Sequence, residues 1–287
     1  MTWVALSLLC AMFLSTSDAL SKEALRDSDE YIVAWVRLGY SVPFLLIALP
    51  FVSIPNLDPS FWKVILILLP LEITAVILYV KAINFSPLSL TVPFLALTPV
   101  FLILTSFLIL GELPDRSGII GILLIACGAY LLNVHTGGNG ILEPLKAIFR
   151  EKGSTMMIGV AFIYSITANL GKVAIQHSSP FFFGIFYFFV LSIVFLPVVK
   201  IGSRGEVRRI FSLKPIFFAI GIFHASMIFT HVWAVSLVEV PYMISVKRTS
   251  LLLSVVYGRL LFKEVNIKER FLGVSVMIVG LLCITLF

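Results

Sequence analysis

Residues 111–128, GELPDRSGIIGILLIACG, and residues 263–280, KEVNIKERFLGVSVMIVG, carry one pattern 152 positions apart. Glu112 falls on Glu264, Gly121 on Gly273 and Gly128 on Gly280, and upstream Ala82 falls on Ala234. An offset of 150 pairs Leu20 with Leu170 and Lys22 with Lys172, so the likeness runs in order through both halves of the chain. Within each copy the two glycines are seven apart and share one helix face, where missing side chains let helices approach closely in lipid. Gly121, Gly128, Gly273 and Gly280 are therefore expected to be structural. Glu112 and Glu264, at the ends of their apolar runs, are expected to bind a neighbouring loop or an ion-pair partner.

The surroundings of these copies are apolar: 60% of the 287 residues are apolar and 13% charged, with a mean hydropathy of +1.08. Soluble domains run at about 45–50% apolar and about 25% charged, so the chain reads as an all-α integral membrane protein. A crossing helix needs about 20 apolar residues. Ten such spans are expected, at about 2–21, 32–53, 61–84, 88–110, 117–134, 156–176, 181–200, 214–238, 240–262 and 268–287. Five spans fall in 1–134 and five in 156–287, joined by a loop over 135–155 that contains Gly137-Gly138-Asn139-Gly140. An odd number of crossings inserts the second copy upside down, and inverted repeats are a secondary-transporter architecture.

The composition also excludes classes of function. The net charge of +6 belongs to membrane topology rather than to nucleic-acid binding: basic residues crowd connections 1–2, 5–6, 7–8 and 9–10, while Lys63, Arg116 and Lys172 lie on the opposite side. The positive-inside rule then places both termini outside. Cys10, Cys127 and Cys283 sit in apolar runs without metal or disulfide spacing, and neither a phosphate-binding GxxxxGK[ST] loop nor an HExxH site is present. No cofactor or metal is expected and an enzyme is not. The first apolar run lacks a basic leader and is read as a retained span. A monomer is expected, because two fused repeats already supply a pseudo-dimer, and the compact loops point to a prokaryotic inner membrane.

The run from Ala82-Ile83-Asn84-Phe85-Ser86-Pro87 through Pro93, Thr98-Pro99 and Gly111-Glu112 to Gly121 and Gly128 resembles the repeat of the EamA family in the drug/metabolite transporter superfamily. The second copy extends from Ala234 through Lys263-Glu264 to Gly273 and Gly280. The resemblance implies a ten-helix carrier of small metabolites, with a cavity between spans 3, 4, 8 and 9, flanked by 1, 2, 6 and 7, and with spans 5 and 10 as a scaffold. The second copy departs at Lys263, where the first has Gly111, and its fourth span lacks the prolines.

Charges within apolar spans are costly, by at least about 2.5–3.5 kcal/mol on insertion scales, and must face protein or water. Lys247-Arg248, some six residues into span 9, are the clearest case. Adjacent cations cannot neutralise each other, so they require an anion: a substrate phosphate or carboxylate, or a protein acid such as Glu72 or Glu239. The same adjacent pair resembles a motif of plastid phosphate translocators and nucleotide-sugar carriers, where it implies contact with substrate phosphate. Leu95 occupies the matching place in span 4, between Pro93 and Pro99, which are expected to kink that helix. His224 and His231, seven apart, share a face and are candidates to bind an anion, to carry a proton or to be satisfied by backbone. Glu72 is a candidate proton carrier or gate, on one face with Tyr79, while Lys81 points the other way. Asp18, expected to pair with Lys22 four residues on, is the second coupling or gating candidate. Lys81, Tyr79 and Trp233 complete the substrate-binding candidates, and Arg37 is read as a packing anchor or snorkelling side chain. The expected activity is alternating-access transport of a small organic anion or zwitterion, such as an amino acid, carboxylate or phosphorylated metabolite, with proton coupling or exchange. The alternative is export of neutral or cationic amphiphiles.

Overall fold

With no water in the hydrocarbon to satisfy peptide groups, an apolar chain crosses it by bonding each N–H to its own carbonyls. The structure, a computed structural model, describes residues 1–85, 92–133, 152–203, 206–253, 256–257 and 271–286, and every regular element among them is helical. In chain order these are α1 (Thr2–Ala24), α2 (Glu30–Gly39), α3 (Val42–Ala48), α4 (Pro59–Phe85), α5 (Thr98–Leu110), α6 (Arg116–Asn133), α7 (Lys152–Gln176), α8 (Pro180–Val194), α9 (Leu196–Gly202), α10 (Pro215–Leu237), α11 (Val240–Lys247) and α12 (Phe271–Leu286). Six stretches are long and apolar enough to cross a membrane, and Phe94–Leu110, Arg116–Leu131 and Leu272–Leu286 are shorter apolar helices. Polar residues just outside the runs start them: the Tyr31 N–H donates to Asp29 at 2.8 Å, Phe61 N–H to Asp58 at 2.9 Å and Gly118 N–H to Asp115 at 2.7 Å. The Gly118 N–H and the Ser117 hydroxyl hold the Asp115 carboxyl below the usual carboxylate range.

Spans 2 and 7 are broken alike. A short turn separates α2 from α3, and Phe195 separates α8 from α9, each second segment having proline in its first two positions. Spans 4 and 9 also break at matching places. Val92–Leu97 is a tight six-residue 3-10 helix ahead of α5, whereas α11 ends at Lys247 and continues with Thr249 N–H to Val246 O and Leu251 N–H to Arg248 O, both at 3.0 Å. Pro93 and Pro99, expected to kink one continuous helix, instead stand near the starts of two segments, where a missing N–H costs least. Having no N–H, Pro99 cannot serve the Leu95 carbonyl. The Thr98 hydroxyl donates to it at 2.9 Å, and Thr249 does the same for Val246 at 2.7 Å. The break therefore recurs in the second copy without its prolines.

The contacts between helices are exchanged when the halves are exchanged: α1 lies along α10 as α4 lies along α7, and α11 meets α1 as α5 meets α7. α6 and α12 pack antiparallel on their glycines. A Cβ on Gly121 would sit 2.7 Å from Gly280 O, and one on Gly128 would sit 2.7 Å from Gly273 O.

Gly111 ends α5 in the left-handed conformation, φ 71°, which only glycine adopts cheaply, and it turns Glu112 back toward the bundle. Glu112 there pairs with Lys172 of α7 and accepts from Val240 N–H at 3.1 Å and Ser106 Oγ at 3.2 Å. Lys172 also donates to Val238 O at 2.7 Å, so one ion pair joins α5, α7 and the α10–α11 connection. The partner copy's Glu264 lies outside the described residues.

Two outcomes test this framework. Gly128→Val should lower stability by about 1–3 kcal/mol, the usual range for overpacking, whereas Gly159→Ala, whose Cβ meets nothing within 4 Å, should leave it unchanged or raised; thermal unfolding in detergent reads both. Lys172→Met should cost about 3–5 kcal/mol by stranding Glu112, with much of that recovered in Lys172→Met/Glu112→Gln, because the pair keeps only 10% and 16% of its side-chain surface exposed.

Candidate functional site

Polar side chains from several helices converge where the helix of span 9 breaks. Lys247 and Arg248 stand at that break, and the Lys247 ammonium lies in the electrostatic field of Cys10, Arg248, Asp18 and Arg37. Glu72 of α4 lies near Thr167 of α7 and within electrostatic range of Lys247. Tyr164 of α7 is near Glu72, Tyr79, Arg37 and Arg248, and Tyr187 of α8 is near Glu72 and Tyr164. His224 and His231 of α10 are both within electrostatic range of Lys247. Asp18, Arg37, Glu72, Tyr79, Tyr164, Tyr187, both histidines and the Lys-Arg pair therefore form one cluster, although they come from distant parts of the chain.

Two cations of this cluster, Lys247 and Arg248, have no ion-pair partner among the described residues. Among the described residues Lys247 has a single hydrogen-bonding neighbour, the Met227 thioether at 3.7 Å, and neither Lys247 nor Arg248 has a carboxylate within ion-pair distance. Arg248 Nε, His224 Nδ1, His231 Nδ1, Tyr187 OH and Ser245 Oγ are buried without partners. Each such group costs about 1–3 kcal/mol unless something polar meets it. Where the histidine nitrogens could have been satisfied by backbone, the Nδ1 atoms are not. Glu239, considered as a counter-ion, lies instead at the α10–α11 turn beside Glu112 and Lys172, where burial and Glu112 push its carboxyl above the usual range.

Asp18 pairs with Arg37 at 2.7 Å rather than with Lys22, which has interactions of its own. The contact joins α1 to α2, which the spacing within α1 could not reveal. Their side chains keep 43% and 27% of their surface exposed, although Asp18 lies six residues before the end of α1 and Arg37 seven residues into α2, roughly 10 Å along each axis. Arg37 thus belongs to the cluster and is not only a packing anchor.

Two expected contacts lie elsewhere. Trp233 is 43% exposed on the α10 face that carries Phe218, Ile222 and Leu237, and it packs edge-on against Phe181. Nine residues from His224, it is turned half a revolution from the cluster. Lys81 is exposed, for the same reason relative to Glu72. Trp35 donates its indole N–H to Ser192 O at 2.8 Å and belongs to the packing of span 2 on span 7. Sequence reasoning passed over Tyr164, Thr167 and Tyr187 as members of the site. Their one sequence signal is a polar tip within an apolar run, which many packing residues share. Among the described residues no group of three metal-ligating side chains occurs.

No curated protein matches this chain. A solved structure, titled only as the crystal structure of a protein, is similar with a TM-score of 0.74 at 14% identity, over 99% of this chain and 96% of that one. At that identity the likeness speaks for the fold alone. The model of the EamA-like transporter family matches residues 1–134 and again 151–286. Both halves of the glycine-paired framework are covered, and the chain belongs to the EamA-like transporter family, a membrane transporter by descent.

Proposed function

We propose that this protein is a secondary carrier that moves a small organic anion or zwitterion, such as an amino acid, carboxylate or phosphorylated metabolite, by alternating access. Ten spans in two inverted five-helix repeats, 1–134 and 156–287 with 135–155 between them, would enclose the polar cluster. The chain would act as a monomer among the lipids of a prokaryotic inner membrane, with both termini outside. Its partner is the small-molecule substrate, not nucleic acid.

The observation that carries this reading is the pair of unneutralised cations, Lys247 and Arg248, at the break in span 9. An ammonium and a guanidinium side by side supply a point charge and a planar fork, the two complementary ways of holding a carboxylate or phosphate. The unpartnered Nδ1 atoms of His224 and His231 and the Tyr187 hydroxyl add hydrogen-bonding capacity around the same place. Glu72, within electrostatic range of Lys247, could then carry a proton or meet a substrate ammonium, and Asp18 would act with it in coupling or gating. Broken helices favour such a midplane site because their free ends offer dipoles and unsatisfied backbone to a ligand.

The amphiphile-exporter reading draws on the aromatic run Phe181 to Phe189. Much of that run is occupied by its own packing, with Phe182 stacked on Phe186 and Phe183 on Tyr187. Two unpaired cations would also repel a cationic drug.

Purified protein should be stabilised thermally by one anionic or zwitterionic class among amino acids, carboxylates and phosphorylated metabolites, by about 2.7 kcal/mol at a hundredfold excess over Kd. Lys247→Ala and Arg248→Ala should each abolish that shift. Stabilisation by cationic or neutral compounds that survives both substitutions would place the amphiphile exporter first.

A further inference from the structure

Resting on the anion-site reading above, the cluster carries a more specific statement about which anions fit. Three cations, Arg37, Lys247 and Arg248, share the cluster with two carboxylates, Asp18 and Glu72, and only Arg37 is in ion-pair contact with one of them among the described residues. Asp18 is committed to Arg37 at 2.7 Å and lies in the electrostatic field of Lys247, Arg248 and Tyr79 as well. It is thus a carboxylate of the protein within electrostatic range of the two cations that would otherwise hold a ligand carboxylate. Arg37 comes from α2 and Asp18 from α1, while Lys247 and Arg248 stand at the end of α11, so the partners are carried by separate elements.

We infer that the Asp18–Arg37 ion pair sets the charge of the substrate: Asp18 is a built-in competitor that restricts the site to ligands with one carboxylate, and Arg37 is the positioning residue that holds Asp18 away from Lys247 and Arg248. A second ligand carboxylate entering this region meets Asp18 and is repelled. With Asp18 neutralised, Arg37 becomes a third free cation and the repulsion turns into attraction. With Arg37 neutralised and Asp18 kept, the Asp18 carboxylate is released toward Lys247 and Arg248 and competes with any ligand anion there. The two substitutions therefore act in opposite directions on affinity, which simple loss of a structural ion pair would not produce.

The test uses the full-length protein in detergent with two ligand pairs of matched size that differ by one negative charge: asparagine with aspartate, and monomethyl succinate with succinate. Titration calorimetry or thermal shift gives the selectivity ratio for each pair. The wild type should favour the member with one carboxylate. Asp18→Asn should shift the ratio at least about tenfold toward the member with two, the scale of one unit charge at short range in a partly hydrated site. Arg37→Gln should weaken both members, the one with two carboxylates more, and Asp18→Asn/Arg37→Gln, which restores the net charge, should return the ratio toward wild type even if either single variant is less stable. An unchanged ratio in Asp18→Asn, or equal weakening in both single variants without recovery in the double, overturns the inference while leaving the anion site standing. If no probe binds the wild type, or binding is indifferent to Lys247→Ala and Arg248→Ala, the anion site itself fails and the inference with it.

Discussion

Every peptide N–H and C=O of a chain in hydrocarbon has to find its partner within the protein, and this single demand shapes where the helices stop. Where the described residues of spans 4 and 9 depart from regular helix, the hydroxyls of Thr98 and Thr249 serve the carbonyls of Leu95 and Val246. Once a break is paid for in this way, the cationic pair can stand at the end of α11 instead of on the side of a continuous rod. The chemistry of the cluster follows from that placement. Lys247 and Arg248 are brought toward Glu72, Asp18 and the histidines of α10 while the surrounding faces remain apolar.

The same demand explains the division of labour between helices. α6 and α12 carry no part of the cluster and are joined backbone to backbone, Gly121 on Gly280 and Gly128 on Gly273. Exchanging the two halves of the chain turns the first of these contacts into the second, so the glycine seam lies about the axis that relates the repeats. Around this scaffold the halves diverge. Glu112 ties α5 to Lys172 and to the α10–α11 connection, and the cations are concentrated in the second copy, where the first has Leu95. A site built from unlike residues of two related halves can bind a ligand that is itself unsymmetric.

What makes the cluster expensive is also what makes it useful. Buried polar atoms without partners, such as Arg248 Nε and Tyr187 OH, lower stability until water or a ligand reaches them, so ligand binding recovers free energy that folding gave up. The Asp18–Arg37 pair shows the opposite arrangement, two charges already satisfied and still accessible. A carrier needs both kinds, one to attract its cargo and one to limit what the attraction accepts.

The helical class, the membrane setting, the twofold repetition and the seven-residue glycine spacing were legible in the sequence, because hydropathy and small-residue spacing are local properties that any fold must respect. Lys247 and Arg248 were legible for a similar reason: a charge in an apolar run is conspicuous wherever it ends up. Which charges meet was not legible. Asp18 reads as a partner of Lys22 four residues on, yet it pairs with Arg37, since a contact between α1 and α2 depends on their packing and leaves no mark in either stretch. Trp233 and His231 are two residues apart in sequence and lie on nearly opposite faces of α10, and only the neighbours of that helix decide which face is inside. The sequence by itself determined what kinds of groups the membrane interior would have to accommodate; the tertiary structure decided which of them share a site, because pairing and exposure are properties of helices brought together.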